Sequence, residues 1–402
     1  MAPHTVNWGI MATGWIAETD QIVLIAFCKD LLTNPASREV TDVAHRIAAV
    51  SSSRDAEKAR AFVKKIDAPA DTTVYSSYAE LVRDPAVDII YVATPHSHHF
   101  QNAMLALDAG KNVLCEKALT VTAEQTRVLV ETARAKKLFF MEAVWTRYFP
   151  LSIKIRELIS SGAIGKVYRA TSDLSFNSNA EDASGKLSFP DAHRMVNPEL
   201  AGGALLDLGI YSLTWIFQTL YHLQPEAEAD KESPEVLASV QKYPVTGADE
   251  STTMILNFPK HQMTGIATTS LRVDTAPDGH KGETAPAIRI QGSKGEIQVS
   301  HPAYRPTSYK VVKKGVEEVE VVDCPIPKDK ERDWGHGMFW EADECARCLR
   351  DGKTESATLP LSESLVIMET MDSVIKQGGI QYPELITTHK FDAQSPLNLG
   401  NA

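Results

Sequence analysis

Cysteine is scarce. The 402 residues contain five, Cys28, Cys115, Cys324, Cys345 and Cys348, an odd and scattered set through which no disulfide framework can be drawn. Cys345 and Cys348 form a CxxC, but no second pair completes a zinc site, and their helix-like surroundings read as structural thiols. Long apolar runs are missing as well. The most apolar short run, Ile22 to Cys28, falls well below the roughly 20 residues that span a bilayer, and the first residues lack a basic-then-apolar signal pattern. There is no block of Lys and Arg, and the formal net charge of -11 repels a phosphate backbone. These absences set the expectation of a cytoplasmic protein with neither a membrane nor a nucleic-acid partner.

What is present is an ordinary globular composition, 43% hydrophobic and 23% charged. The length exceeds what one core usually holds, so two domains are expected. From residue 5 to about 145, short apolar runs alternate with helix-period segments, the pattern of βαβ units and a doubly wound parallel sheet. Val6–Met11, Ile47–Ser51, Ile89–Ala93, Val113–Cys115 and Leu138–Met141 read as strands. Ala56–Ile66, Ser77–Val82, His99–Ala109 and Ala123–Ala135 read as helices between them. After Arg147–Pro150 one more helix, Ser152–Ser160, precedes Val167–Asp173, Val236–Lys242, Thr252–Phe258, Met263–Leu271, Ala287–Gln291 and Glu296–Val299. Strands that follow one another without helices imply a large, mainly antiparallel open sheet. The expected architecture is therefore α/β: a Rossmann domain over 1–147 and an α+β domain over 148–402.

The first strand runs into Ala12-Thr13-Gly14-Trp15-Ile16-Ala17, which corresponds to GxGxxG with alanine at both outer positions. The surviving Gly14 stands where the backbone must approach a pyrophosphate, and a helix starting near Trp15 can aim its amides at the phosphates. A tight turn without a ligand has the same sequence; position at the first βα junction favours the dinucleotide. The second strand then selects the cofactor. An NAD site ends it with Asp or Glu for the ribose 2′-hydroxyl, whereas Ser51-Ser52-Ser53-Arg54 stands here. A 2′-phosphate is not repelled: the planar guanidinium of Arg54 can pair with it, while the hydroxyls of Ser51, Ser52 and Ser53 and nearby amides supply neutral hydrogen bonds. NADP is the expected cofactor.

Four further segments carry chemistry: Ala93-Thr94-Pro95-His96-Ser97-His98-His99, Cys115-Glu116-Lys117-Ala118, Glu142-Ala143-Val144-Trp145-Thr146-Arg147 and Gly202-Gly203-Ala204-Leu205-Leu206-Asp207-Leu208-Gly209-Ile210-Tyr211. With Ile290–Ile297 and Gly337–Glu344 they resemble the glucose–fructose oxidoreductase/inositol dehydrogenase family, within it the branch of NADP-dependent D-xylose and dihydrodiol dehydrogenases. The resemblance covers nearly the whole chain. It implies Lys117 as the active-site lysine, in Glu-Lys-Ala where the family usually has Glu-Lys-Pro, with Glu116, Thr94, Pro95 and His99 at the cofactor cleft. His96, His98 and His99 look like a metal cluster, but the family pattern Thr-Pro-x-x-x-His carries no metal. Many members have Asp-x-x-x-His where this chain has Asp207 and Tyr211, four residues apart and so on one helical face. Tyrosine there matches a branch in which it serves as acid/base. Trp145, Arg147, His193 and Arg194 are carried over as the border of the substrate pocket.

Tyrosine ordinarily titrates near pH 10, and a positive charge within about 4–6 Å favours its phenolate, which is the physical reason to couple Lys117 to Tyr211. The resemblance thus implies oxidation of a sugar at C1 by hydride transfer, and a homodimer built on the open sheet. Oxidation of an aromatic dihydrodiol and a silent NADP-binding regulator are the competing readings; retention of both Lys117 and Tyr211 argues against the regulator. Relatives run from Ala17-Glu18-Thr19 directly into Phe27, whereas this chain interposes the seven residues Asp20–Ala26, enough to lengthen a helix by about 10 Å or to bulge from it. The Ser51–Arg54 argument makes a prediction: Arg54→Ala raises the Michaelis constant for NADP much more than that for NAD, and equal changes in the two would remove the phosphate clamp.

Overall fold

The computed structural model describes residues 2–11, 22–177, 185–279, 281 and 284–399. The chain divides into two compact units, one of Met1–Trp145, Ile326–Ser364 and Leu385–Ala402, the other of Thr146–Pro325 and Leu365–Glu384.

In the first unit the apolar runs become strands β1 (His4–Met11), β2 (Val43–Ser51), β3 (Thr73–Tyr75), β4 (Ile89–Val92), β5 (Asn112–Glu116) and β6 (Phe140–Ala143). They form one sheet in the order β3-β2-β1-β4-β5-β6, and every neighbouring pair is parallel. β4 and β6 are buried at each position, as a sheet covered on both faces requires. The expected helices are present, the last of them, Ala123–Lys136, opened by a capping box of Thr122 and Gln125. The order reverses between β1 and β4, and the crevice beyond the carboxyl ends at such a point is where doubly wound sheets bind ligands.

Part of the interposed segment is seen. Ile22–Leu31 is a helix; Leu24 and Ala26 are buried, and Phe27 stacks on Tyr91 with ring centroids 3.9 Å apart. Ile22–Ala26 therefore extends a packed helix, while Asp20 and Gln21 lie outside the described residues.

The expected second domain, 148–402 without a break, is corrected. By their contacts, 326–364 and the C-terminal segment return to the first unit. The physical reason is a set of buried polar contacts that sequence order cannot display. On the helix Phe339–Arg350, Asp343 receives Arg38 through two hydrogen bonds, 2.7 and 2.9 Å. The Nε2 of His45 lies 3.0 Å from the same carboxylate, and the Trp8 indole donates to His45 Nδ1 at 3.2 Å. The indole fixes the tautomer, so Nε2–H donates to Asp343, and burial holds the ring neutral by pushing its pKa down. Removing one partner of such a buried pair costs about 3–5 kcal/mol. Further on, Gln125 donates to the carbonyls of Ile386 and Thr388 at 2.8 and 2.9 Å, and Asn102 donates to Asn398 at 2.8 Å.

The second unit starts with the helix Pro150–Ser160 and contains β7 (Val167–Ser175), β8 (Glu235–Lys242), β9 (Asp249–Phe258), β10 (Met263–Ser270), β11 (Ile288–Gly292), β12 (Gly295–Val299), β13 (Ser308–Lys313) and β14 (Glu320–Asp323). Their order is β14-β13-β12-β11-β7-β10-β9-β8. β7 and β10 pair in parallel, and the other neighbours are antiparallel, as the helix-free run of strands implied. One apolar stretch is longer than Ile22–Cys28: Pro198–Tyr221 is long and apolar enough to cross a membrane, yet 94% of its window is buried in the protein. Its helical part, 205–221, lies on the sheet, where Ser212 donates to the Thr268 carbonyl at 2.8 Å.

The helix Phe339–Arg350 has no side-chain cap of its own. Asp30 supplies one, accepting from the amides of His336, Met338 and Phe339 at 2.9, 2.6 and 3.2 Å. Burial outweighs these bonds and lifts the Asp30 pKa to about 6. A carboxyl with a raised folded-state pKa favours the fold below its unfolded pKa, near 4, and that contribution fades as pH rises through the folded value. The urea midpoint of the natural protein should therefore fall, relative to Asp30→Asn, between about pH 4 and about 6; a difference constant over that window would refute the raised pKa.

Candidate active site

The segments around Ser51–Arg54, Thr94–His99, Glu116–Ala118 and Trp145 follow β2, β4, β5 and β6 at the carboxyl edge of the first unit's sheet. Ala12, Thr13, Gly14, Trp15 and Ile16 lie outside the described residues. At the end of β2, Ser51 and Ser52 are fully buried, and their hydroxyls are turned to the main chain. Ser51 donates to the Ser52 carbonyl at 2.7 Å, and Ser52 donates to the Asp55 carbonyl at 2.5 Å. Ser53 bonds the Tyr78 hydroxyl. The first two serines thus shape the loop instead of offering hydroxyls, and Arg54 stands exposed on it. The next carboxylate, Asp55, is spent as the cap of the helix Ala56–Lys65, accepting from Glu57 N at 2.9 Å.

Thr94 and Pro95 lead from β4 into the helix His96–Asp108. His99 is buried there between two carbonyls, Nε2 2.8 Å from that of Thr94 and Nδ1 2.9 Å from that of Ala118. His96 Nε2 lies 3.1 Å from the carbonyl of Lys117. These two histidines hold the main chain on both sides of the Lys117–Ala118 peptide, which is cis. Burial pushes the pKa of His99 down to about 4, with the Lys117 charge adding to the effect, so the ring is neutral near pH 7. His98 points elsewhere, to the Ser97 hydroxyl at 2.8 Å. Among the described residues no group of three or more His, Cys, Asp or Glu could hold a metal.

Glu116 and Lys117 are both buried. Glu116 Oε1 accepts from the Tyr91 hydroxyl, and Oε2 accepts from the amide of Lys117 at 3.2 Å, so the carboxylate fixes the backbone from which the lysine projects. Glu341 is fully buried with neither oxygen hydrogen-bonded. Burial, with the charges of Glu116 and Asp30, holds it well above the usual carboxylate range. Trp145 stacks on His336, ring centroids 5.1 Å apart, and Trp334 also stacks on His336 at 6.2 Å. Sequence reasoning found Trp145 but missed His336 and Trp334. The signal available was their place just before Gly337–Glu344, a segment already singled out.

In the second unit Arg147 is fully buried, its Nη2 3.2 Å from His222 Nδ1. His193 stacks on Phe189 with centroids 4.7 Å apart, and its Nδ1 accepts from Met195 N at 3.2 Å. Arg194 donates to Asp207 at 2.8 Å, so a residue expected at the substrate and one expected in catalysis are brought together. Tyr211 is 5% exposed, and its ring centroid lies 5.8 Å from that of Tyr304. The helix that carries both residues opens with a wide π-type stretch, Leu205–Gly209, before the regular Ile210–Ile216; such bulges recur at functional sites.

Two glycines set the start of this helix. A Cβ on Gly202 would lie 2.4 Å from the Arg194 carbonyl. Gly203 has φ +135°, and a Cβ on it would lie 1.9 Å from Oδ1 of Asp249. Sequence reasoning missed Asp249. Its Oδ2 accepts from the Leu205 amide at 2.6 Å, and burial lifts its pKa to about 6.

Residues 6–144 match the family description of an oxidoreductase family with an NAD-binding Rossmann fold, and residues 152–298 match the GFO/IDH/MocA C-terminal domain. The chain is 65% identical to the D-xylose 1-dehydrogenase (NADP(+)) of Hypocrea jecorina, over 99% of this chain and 98% of that protein. It is 34% identical to the trans-1,2-dihydrobenzene-1,2-diol dehydrogenase of Homo sapiens, over 94% of this chain and 98% of the relative. Levoglucosan dehydrogenase in complex with NADH and levoglucosan has the same fold, with a TM-score of 0.74 at 16% identity over 93% of this chain and 97% of its own. So does the aldose-aldose oxidoreductase of Caulobacter crescentus, with a TM-score of 0.71 at 19% identity over 93% and 98%. The chain belongs to the GFO/IDH/MocA oxidoreductase family.

Proposed function

We propose that the protein is an NADP-dependent D-xylose 1-dehydrogenase that oxidises the C1 hydroxyl of D-xylose and related aldopyranoses to the aldonolactone. The observation that carries this reading is the 65% identity, over 99% of the chain, to the H. jecorina enzyme. The residues fit the cofactor: the strand ending at Ser51 presents an exposed arginine, and the adjacent carboxylate of Asp55 is occupied by its own helix. Arg54 would hold the 2′-phosphate, with Thr94, Pro95, His99 and Glu116 at the cleft. When bound, NADP supplies the hydride acceptor. Formation of NADPH across a panel of aldoses and one trans-dihydrodiol tests the function. D-xylose is expected to give the highest kcat/KM; a dihydrodiol that outran every aldose would overturn the sugar reading.

Within that function Tyr211 takes the proton of the C1 hydroxyl, and Lys117 favours its ionised form. Support comes from chemistry, since a phenol needs a cation's help to accept a proton at neutral pH, and from the fixed backbone at Lys117. Trp145, Arg147, His193 and Arg194 border the substrate in this reading, and Asp207 belongs with Lys117 and Tyr211 to the catalytic set. Tyr211→Phe keeps the ring and removes the oxygen, so turnover should fall about 100-fold or more while NADPH binds normally. Lys117→Met should be crippled too, its residual activity moved to higher pH. Near-normal turnover in Tyr211→Phe would take the tyrosine out of the mechanism.

We also infer a homodimer through the open face of the second unit's sheet. Ile266, Ile255 and Leu237 lie side by side on β10, β9 and β8, and Ile255 and Leu237 are 40% and 66% exposed. An apolar row of this kind favours association. Light scattering that returned 44 kDa across micromolar concentrations would refute the dimer.

A further inference from the structure

We infer that Asp249 is a positioning residue for the acid/base helix: from another strand it holds the bare amides at the start of that helix and so sets the turn bearing Asp207 and Tyr211. The inference rests on the role of Tyr211 proposed above.

Asp249 opens β9 and is fully buried. The helix it meets has no side-chain cap of its own. Oδ2 accepts from Leu205 N at 2.6 Å and, at 3.3 Å, from the Thr252 hydroxyl. Oδ1 has no hydrogen-bond partner. It occupies the space that any side chain at 203 would fill, 1.9 Å from where a Cβ would stand. Tyr382 brings no compensation: its hydroxyl is buried without a partner, and its pKa is raised by burial and by the charge of Asp249.

That arrangement is expensive for a cap. An acceptor buried with no partner is destabilising, whereas a serine or asparagine at the helix's own N-cap position satisfies the same amides without that cost. What a carboxylate on a separate strand adds is a second anchor, because it ties the first turn to β9 and not only to the preceding loop. The loop is tied as well. Gly202 lets the Arg194 carbonyl approach to 2.4 Å of an added Cβ, and the Arg194 side chain returns to Asp207 at 2.8 Å. Asp249, the two glycines and the Arg194–Asp207 pair thus fix the turn directly before Tyr211 from three sides.

The experiment compares Asp249→Ala and Asp249→Asn in the full-length enzyme. In the alanine variant, turnover on D-xylose should fall 10-fold or more while KM for NADP stays within twofold, and amides 205–211 should exchange deuterium faster with the first unit's amides unchanged. Asparagine keeps an oxygen toward Leu205 and should restore turnover to within threefold and protect 205–211 again. Wild-type turnover in Asp249→Ala, unchanged exchange at 205–211, or loss spread equally over NADP affinity and all amides would overturn the inference. Should the alanine variant fail to fold, the asparagine variant decides alone: protected 205–211 amides with preserved turnover support it, and fast exchange there overturns it. If Tyr211→Phe proved fully active, the assignment of Tyr211 would fail by that result, whereas the exchange measurement would still judge the anchoring by Asp249.

Discussion

The first amides of an α-helix have no partner within it, and in each unit of this protein one such set is met by a buried aspartate from a different element. Asp30, on the helix Ile22–Leu31, takes the amides before Phe339–Arg350, and Asp249, on β9, takes that of Leu205. Two effects compete at each carboxyl. Amide hydrogen bonds stabilise the anion and burial disfavours it; both pKa values end near 6, so burial wins. The benefit lies in connectivity. One capped helix carries Asp343, which gathers Arg38 and His45, and the other carries Asp207 and Tyr211.

Around Lys117 the same economy applies to main-chain groups. Two histidines face the carbonyls of Lys117 and Ala118, and Glu116 accepts the lysine's amide. Burial keeps His99 uncharged, which spares the site a second positive charge next to the ammonium.

Five strands of the first sheet were readable because a strand buried on both faces must be a run of apolar residues, as in Ile89–Val92. β3 is three residues long with an exposed threonine, too short for any periodicity to register. β13 (Ser308–Lys313) and β14 (Glu320–Asp323) mix polar and apolar residues without a strict two-residue period, and β14 is a short, largely exposed edge strand, so both resemble loop. The site was readable where chemistry falls at strand ends, as with Arg54, Thr94, Lys117 and Trp145. It was not readable for Asp30, Asp249, His336 or Glu341, whose significance arises only from contacts with residues distant along the chain. Asp30 and His336 are 306 positions apart.

The return of 326–364 and 385–399 to the first unit has a consequence for biosynthesis. Chains are made from the amino end, and domains formed early in the sequence commonly fold while the rest is still being translated. Here the nucleotide-binding unit is begun before the second unit and completed after it. Asp343, which answers the buried Arg38, emerges only after the second unit's entire sheet, and the strap that Gln125 and Asn102 clasp comes with the final residues. Until then Arg38 and the unclasped faces of two helices wait for partners not yet synthesised, so a prematurely terminated chain leaves the nascent nucleotide-binding unit open to quality control.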